Sequence, residues 1–203
     1  FLMSRFGDEE SRKAWKKGKL DSNGYAPSIL TTENGCCYCF VEKNGENYVL
    51  YVSIADVSHY VRPGSELHKE AMSRGTSVYL AGAVIPMLPP RLSNGICSLN
   101  EGVPRLTLTA EMTVDKNGYV ISHDIYKSVI KSLHRMTYTE VTSIIEGNKK
   151  LREKYKDVGG MISEMKNLAD ILHKKREKNG SINFNFPETK VVFDASSLSA
   201  SVS

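Results

Sequence analysis

Three thiols crowd one short stretch, at Cys36, Cys37 and Cys39, and a fourth, Cys97, stands far along the chain. Clustered cysteines invite a zinc reading. A structural zinc ion takes about four ligands, usually as two spaced pairs, and no second pair follows, so zinc is not expected. Adjacent cysteines seldom bridge each other, and the spacing makes no disulfide framework. Asp56 closes the apolar run Tyr51–Ala55, and His59 follows it. A carboxylate at a strand end can ligate a metal, but its commoner work is to accept backbone amides and cap the next turn. Capping is the role expected of Asp56, and packing that of His59 and Tyr60. Arg74, Arg91, Arg105 and Arg135 could each touch phosphate, although each alone more commonly serves the fold.

The elements that must position these groups follow from pattern and punctuation. Cys37–Lys43 and Tyr48–Ala55 are β-rich runs flanking Asn44-Gly45, a strong hairpin signal. A second hairpin is expected from Leu106–Val114 and Tyr119–Val129 around Asp115-Lys116-Asn117-Gly118, with Leu106, Leu108, Ala110, Met112 and Val114 alternating toward a core. Ser65 can cap a short helix to Ser73 with Leu67, Ala71 and Met72 on one face. A helix over Thr139–Glu146 would start from a cap at Thr137 or Thr139. A longer one, roughly Leu151 to Asn179, carries Ile162, Met165, Leu168, Ala169 and Leu172 at helical spacing and ends on a basic turn before Gly180. Glu9–Lys19 could form a marginal helix around Trp15. A final strand is expected over Lys190–Phe193. The fold class is α+β, an antiparallel or mixed β-sheet with packed helices.

The stretch Tyr51–Asn100 organises the rest. It holds Ile54-Ala55-Asp56-Val57-Ser58-His59-Tyr60-Val61, Arg74-Gly75-Thr76-Ser77-Val78-Tyr79, Ile85-Pro86-Met87-Leu88-Pro89 and a polar turn, Leu92-Ser93-Asn94-Gly95-Ile96-Cys97-Ser98-Leu99-Asn100. These blocks, together with Arg105-Leu106, Glu111-Met112-Thr113-Val114, Arg135-Met136-Thr137-Tyr138-Thr139-Glu140-Val141, Lys175-Arg176-Glu177 and Gly180-Ser181-Ile182-Asn183-Phe184, resemble the catalytic domain of the ribonuclease II / ribonuclease R family, its ribonuclease R branch most. Agreement of several separate blocks, over about three quarters of the chain, is far more specific than one short motif. The resemblance implies cleavage of single-stranded RNA from its 3′ end, one nucleotide at a time, assisted by Mg²⁺. It places Tyr79 and Tyr138 where the family stacks aromatic rings on the terminal bases. It also implies further helices and an Arg-rich segment beyond the equivalent of Asp194, and RNA-binding β-barrel domains on either side.

One part of the family pattern is missing. Paired hard cations need clustered carboxylates, and the resemblance expects an aspartate-rich segment just before the strand at Tyr38–Lys43. Here that segment runs from Pro27 to Tyr38, and Ser28, Thr31, Asn34, Gly35, Cys36 and Cys37 stand where the carboxylates belong. Glu33 is the one acid between Asp21 and Glu42. The metal site is therefore expected to be absent or crippled, with no catalytic residue intact. Either the site has been altered or lost, or the reading frame has slipped. Read one base out of frame, codons for Gly35-Cys36-Cys37 can encode Asp-Ala-Val, and Ser22–Ala26 can become Leu-Thr-Asp-Met-Leu.

Composition bounds the remaining classes. Forty per cent hydrophobic and 25% charged residues over 203 positions suit one globular domain with a real core. A net charge of +4 is compatible with RNA. No apolar run is long enough to span a bilayer, no small-molecule cofactor motif stands out, and the cysteine usage points to a reducing cytoplasm. Residues 1–37 read as a divergent, possibly frame-shifted segment, 38–194 as partial catalytic domain and 195–203 as a frayed tail. The first residue, Phe1, suggests a fragment. Three functions stay open: part of an exoribonuclease, a metal-free RNA-binding module, or a truncated product with no role of its own. Sequencing the coding DNA across Asp21–Tyr38 separates slip from alteration. The slip predicts an aspartate cluster in a neighbouring frame, and an intact frame with no such alternative rejects it.

Overall fold

The computed structural model describes residues 30–31, 37–80, 83–182, 191–194 and 199–202. The helix expected over Glu9–Lys19 and most of the segment 28–37 lie outside them. The centre is a six-stranded sheet made of β1 (Leu30–Thr31), β2 (Cys37–Asn44), β3 (Asn47–Ala55), β6 (Pro104–Val114), β7 (Val120–Lys131) and β8 (His134–Arg135), in the order β7-β6-β3-β2-β1-β8. Every pairing is antiparallel except β1 with β8, so the sheet is mixed. Both expected hairpins form. Asn44 pairs with Asn47 around Gly45, whose φ of 61° needs no Cβ to be accommodated. In the second turn Asp115 Oδ1 accepts the amides of Asn117 and Tyr119 at 2.9 and 2.7 Å.

The register decides what each face buries. On one face Val41, Tyr48, Leu50, Met112 and Val114 form a cluster with Leu168, Ile171 and Leu172 of a long helix. On the other face, toward the opposite end of the strands, Tyr38 and Ile130 pack against Leu99. The expected inward alternation of Leu106, Leu108, Ala110, Met112 and Val114 therefore holds only in part. Leu108 is exposed, while Thr107 and Thr109 on the reverse face are buried. Those threonines join a chain of hydroxyls across three strands: Ser53 to Thr109 at 2.6 Å, Thr109 to Ser128 at 2.5 Å and Ser128 to Thr107 at 2.7 Å. Mutual bonding is what makes burial of four hydroxyls tolerable.

The helices correct the sequence reading at four points. The expected single helix over 151–179 is two, α4 (Lys149–Lys154) and α5 (Gly159–Lys178), separated by a turn at 155–158. The apolar spacing continues across the break because Leu151, Tyr155, Val158 and Ile162 all enter one cluster with Met136 and Ile144. Ala169 faces out rather than in. Met72, expected on the inner face of α2 (Glu66–Arg74), is exposed. Leu92–Asn100, read as a polar turn, begins inside a π-helical turn over Arg91–Ile96, closed by the Cys97 amide on the Leu92 carbonyl. The stop at Gly180 forms as expected: its amide bonds the Glu177 carbonyl and the Ser181 amide the Arg176 carbonyl, the paired bonds of a left-handed glycine cap. Ser199–Val202, within the stretch expected to fray, forms β10 and pairs antiparallel with β9 (Val191–Asp194). No helix among the described residues is long and apolar enough to cross a membrane.

Leu168 is the most deeply buried helix residue packed on the sheet. Leu168→Ala should cost about 2–5 kcal/mol, read as a drop in the denaturation midpoint at unchanged m-value.

Candidate nucleic-acid interface

Tyr79 is carried on a small ribbon. Ser65 caps α2, its hydroxyl accepting from the His68 amide at 3.2 Å. The helix ends at Gly75, with φ 71°. The chain then reverses through β4 (Val78–Leu80) and β5 (Ala83–Ile85), where Tyr79 pairs with Val84. Two contacts hold the ribbon's base. Ser77 Oγ accepts the Met87 amide at 2.9 Å, and Arg74 donates to the Pro86 carbonyl at 3.2 Å while pairing Glu70 at 2.8 Å. Tyr79 itself is 77% exposed.

Tyr138 is the first residue of α3 (Tyr138–Ile145) and is 69% exposed. A reciprocal cap fixes its place: Thr137 Oγ1 accepts the Glu140 amide at 3.1 Å and Glu140 accepts the Thr137 amide at 3.2 Å. The other Glu140 oxygen accepts from Tyr155 Oη at 2.9 Å and Lys154 Nζ at 3.2 Å. The Thr137 amide first, then the Tyr155 hydroxyl and Lys154, hold the Glu140 carboxyl below its ordinary range. The Thr-x-x-Glu spacing is itself a sequence signal for this box, and sequence reasoning took only its threonine. Neither Tyr79 nor Tyr138 makes a side-chain hydrogen bond among the described residues.

The remaining candidates divide. Asp56 caps the single turn α1 (Val57–Tyr60), its Oδ1 accepting from Ser58 Oγ at 2.5 Å and the His59 amide at 3.2 Å. Its Oδ2 is buried with Lys127 Nζ at 3.8 Å. His59 packs edge-on to Tyr60, and burial pushes its imidazole down. Arg105 is spent on the fold, donating to the carbonyls of Ser98, Pro104 and Gly95 at 2.8, 3.1 and 3.2 Å. Arg135 reaches Asn100 Oδ1 at 3.4 Å, and Arg91 is exposed. Cys37 and Cys39 share a face of β2, where burial and the neighbouring Cys37 push the Cys39 thiol up to about 11, so it is protonated at neutral pH. Among the described residues no three His, Cys, Asp or Glu side chains come together as a metal site. Of the segment Ser28, Thr31, Asn34, Gly35, Cys36 and Cys37, only Thr31 and Cys37 fall within those residues, on β1 and β2.

The RNB domain profile matches residues 32–202, most of the chain, tail strand included. The chain belongs to the RNB domain family. It is 47% identical over 192 residues to ribonuclease R of Escherichia coli (strain K12), covering 92% of this chain and 24% of that protein. It is 52% identical over 157 residues to ribonuclease R of Thermotoga maritima, covering 76% and 22%. Among solved structures, Mycoplasma genitalium RNase R in complex with ribose-methylated single-stranded RNA superposes with a TM-score of 0.79 at 30% identity, over 99% of this chain and 32% of that one. The same enzyme with double-stranded RNA gives 0.76 at 33% identity, over 94% and 34%. The chain thus spans about a quarter of the length of the curated relatives it matches. The α+β RNB-type fold is shared with them.

Glu140→Ala should lower stability at neutral pH by about 1 kcal/mol, the usual worth of a cap. A depressed carboxyl stabilises above the pKa of the unfolded chain and loses that contribution as pH falls through its folded value. The melting-temperature gap between wild type and variant should therefore narrow in acid, and a gap that widens there contradicts the assignment.

Proposed function

We propose that this chain is part of the catalytic domain of a ribonuclease R-type 3′-to-5′ exoribonuclease, working on single-stranded RNA in the cytoplasm, and that as it stands it binds RNA ends without cleaving them. The observation carrying the binding half is the state of Tyr79 and Tyr138. Two large rings stand in solvent on well-braced supports, with no side-chain bond for their hydroxyls among the described residues. A core tyrosine would be covered, and its hydroxyl partnered. Exposed rings offer π-faces to any base, which suits a protein indifferent to sequence. Family membership supports the RNA partner, and the RNA held by the Mycoplasma genitalium enzyme supports it further.

The hydrolytic half fails on the donor set. Mg²⁺, when bound in such a site, activates water and neutralises charge on the leaving oxygen, and it needs several hard oxygen ligands, carboxylates foremost. The stretch that should supply them offers Glu33 alone. No step is therefore assigned to this chain's residues.

Two measurements on the purified chain test the reading. Incubation with single-stranded RNA and Mg²⁺ or Mn²⁺ should release no mononucleotides, and steady EDTA-sensitive release overturns the inactive assignment. Tyr79→Ala and Tyr138→Ala should each weaken binding of linear RNA by about 1–3 kcal/mol with little change in melting temperature, whereas Tyr→Phe at either position should be nearly silent. Loss of stability without loss of affinity would return both rings to a structural role.

A further inference from the structure

The net charge of the whole chain is +4, yet residues 149–178 alone carry ten Lys or Arg against five Asp or Glu, a local net of +5. The remaining sequence is slightly acidic. All of the positive balance sits on α4, α5 and the turn between them, not on the ribbon that carries Tyr79 or on α3, which carries Tyr138 at its start and meets the basic helices at its far end, Ile144 and Ile145. These helices also enclose space. An open cavity of about 490 Å³ lies between the C-terminal end of α3 and the first half of α5. Its floor is apolar, from Ile144, Ile145 and Ile162, and its rim carries Arg152, Lys156, Lys166, Ser163 and Asn167. Among the described residues no acid lines it, although Glu153 and Asp170 pair with two of its lysines from outside.

The cations on the rim differ in how firmly they are held. Arg152 is fixed, its guanidinium donating to the Ile144 and Ile145 carbonyls at 2.9 and 3.3 Å. It contributes a stationary charge. Lys156 and Lys166 pair with Glu153 and Asp170, and all four side chains are substantially exposed. Exposed pairs of this kind are weak and screened by salt, so both ammonium groups can turn to a stronger anion. A phosphodiester supplies one, and each contact releases condensed counterions from the nucleic acid.

We infer that the α3–α5 cavity and its basic rim form a second RNA contact, seating backbone phosphates away from the 3′-end tyrosines. The inference rests on the reading of the chain as an RNA binder. Phosphate contacts of this type hold a strand without reading its sequence. A strand gripped here and stacked at the tyrosines would be held at two separated points, and the grip would persist on RNA lacking any end.

A circular single-stranded RNA tests this, because it presents no 3′ terminus. The full chain is titrated against labelled circular and linear RNA by fluorescence anisotropy at rising KCl. Wild type should bind both. The double variant Lys156→Gln, Lys166→Gln should weaken both and flatten the plot of log affinity against log salt by about 1.4, from about 0.7 per phosphate lost on single strands. Lys156→Arg, Lys166→Arg should keep the wild-type slope, and melting temperatures should be unchanged throughout. Tyr79→Ala should weaken linear RNA alone. Wild type that ignores the circle, or a folded Gln variant with the wild-type slope, overturns the inference. So does equal binding of poly-aspartate at matched charge, which would make the rim a seat for acidic peptides. Failure of the tyrosine reading looks different: Tyr79→Ala is then silent on linear RNA while the lysine variant still loses slope.

Discussion

A pleated strand presents side chains to two faces in alternation, so a sheet buried on both sides needs a cover on each. Here the covers are staggered. α5 lies over one face at the Val41, Tyr48 and Val114 end, and the segment around Leu99 lies over the reverse face at the Tyr38 and Ile130 end. The rest of the architecture answers to this arrangement. Arg105 grips the carbonyls of Gly95 and Ser98, which keeps the second cover in place. Lys175 does the same for the first, donating to the Gly118 carbonyl at 2.8 Å and lying 3.9 Å over the Tyr119 ring. Where neither cover reaches, apolar residues such as Ile54, Leu108 and Ile125 stay open to solvent on one face.

The two tyrosine supports depend on the same frame for different reasons. The β4–β5 ribbon has no core of its own, since its side chains are exposed along both strands. It keeps its shape through backbone pairing and the Ser77 and Arg74 contacts at its base. The start of α3 is held from below by the Met136, Ile144 and Tyr155 cluster and from above by Glu140, which joins the Thr137 cap to Lys154 and Tyr155. One carboxylate thus links the placement of an exposed ring to the packing of the next helix.

Much of the frame was legible because its signals are local. Asn44-Gly45 and Asp115–Gly118 each specify a turn within a few residues, and Gly180 ends a helix for reasons internal to that helix. The break at 155–158 was hidden because Tyr155 and Val158 keep the apolar rhythm while leaving the helix, a tertiary demand from the α3 cluster. Leu108 was misplaced because alternation tells which face a residue joins, not whether that face is covered. The site was legible mainly by resemblance. Nothing in the types or spacing of Tyr79 and Tyr138 marks them out, and the basic rim draws its members from α4, α5 and the turn between them, whose packing no short pattern encodes.

The staggered covers also set a schedule for a chain emerging from the ribosome. β2 and β3 are neighbours in the chain and can pair once Ala55 has left the ribosome, but β3 finds its other neighbour only when β6 arrives, and their shared face is roofed only once α5 has formed. Until then Val41, Tyr48 and Leu50 lie bare on a partly formed sheet, the kind of intermediate that attracts other chains. Synthesis that pauses before Gly159 would therefore hold the nascent chain with its sheet partly paired and its main apolar surface uncovered. Chaperone demand for this domain should be concentrated in that interval.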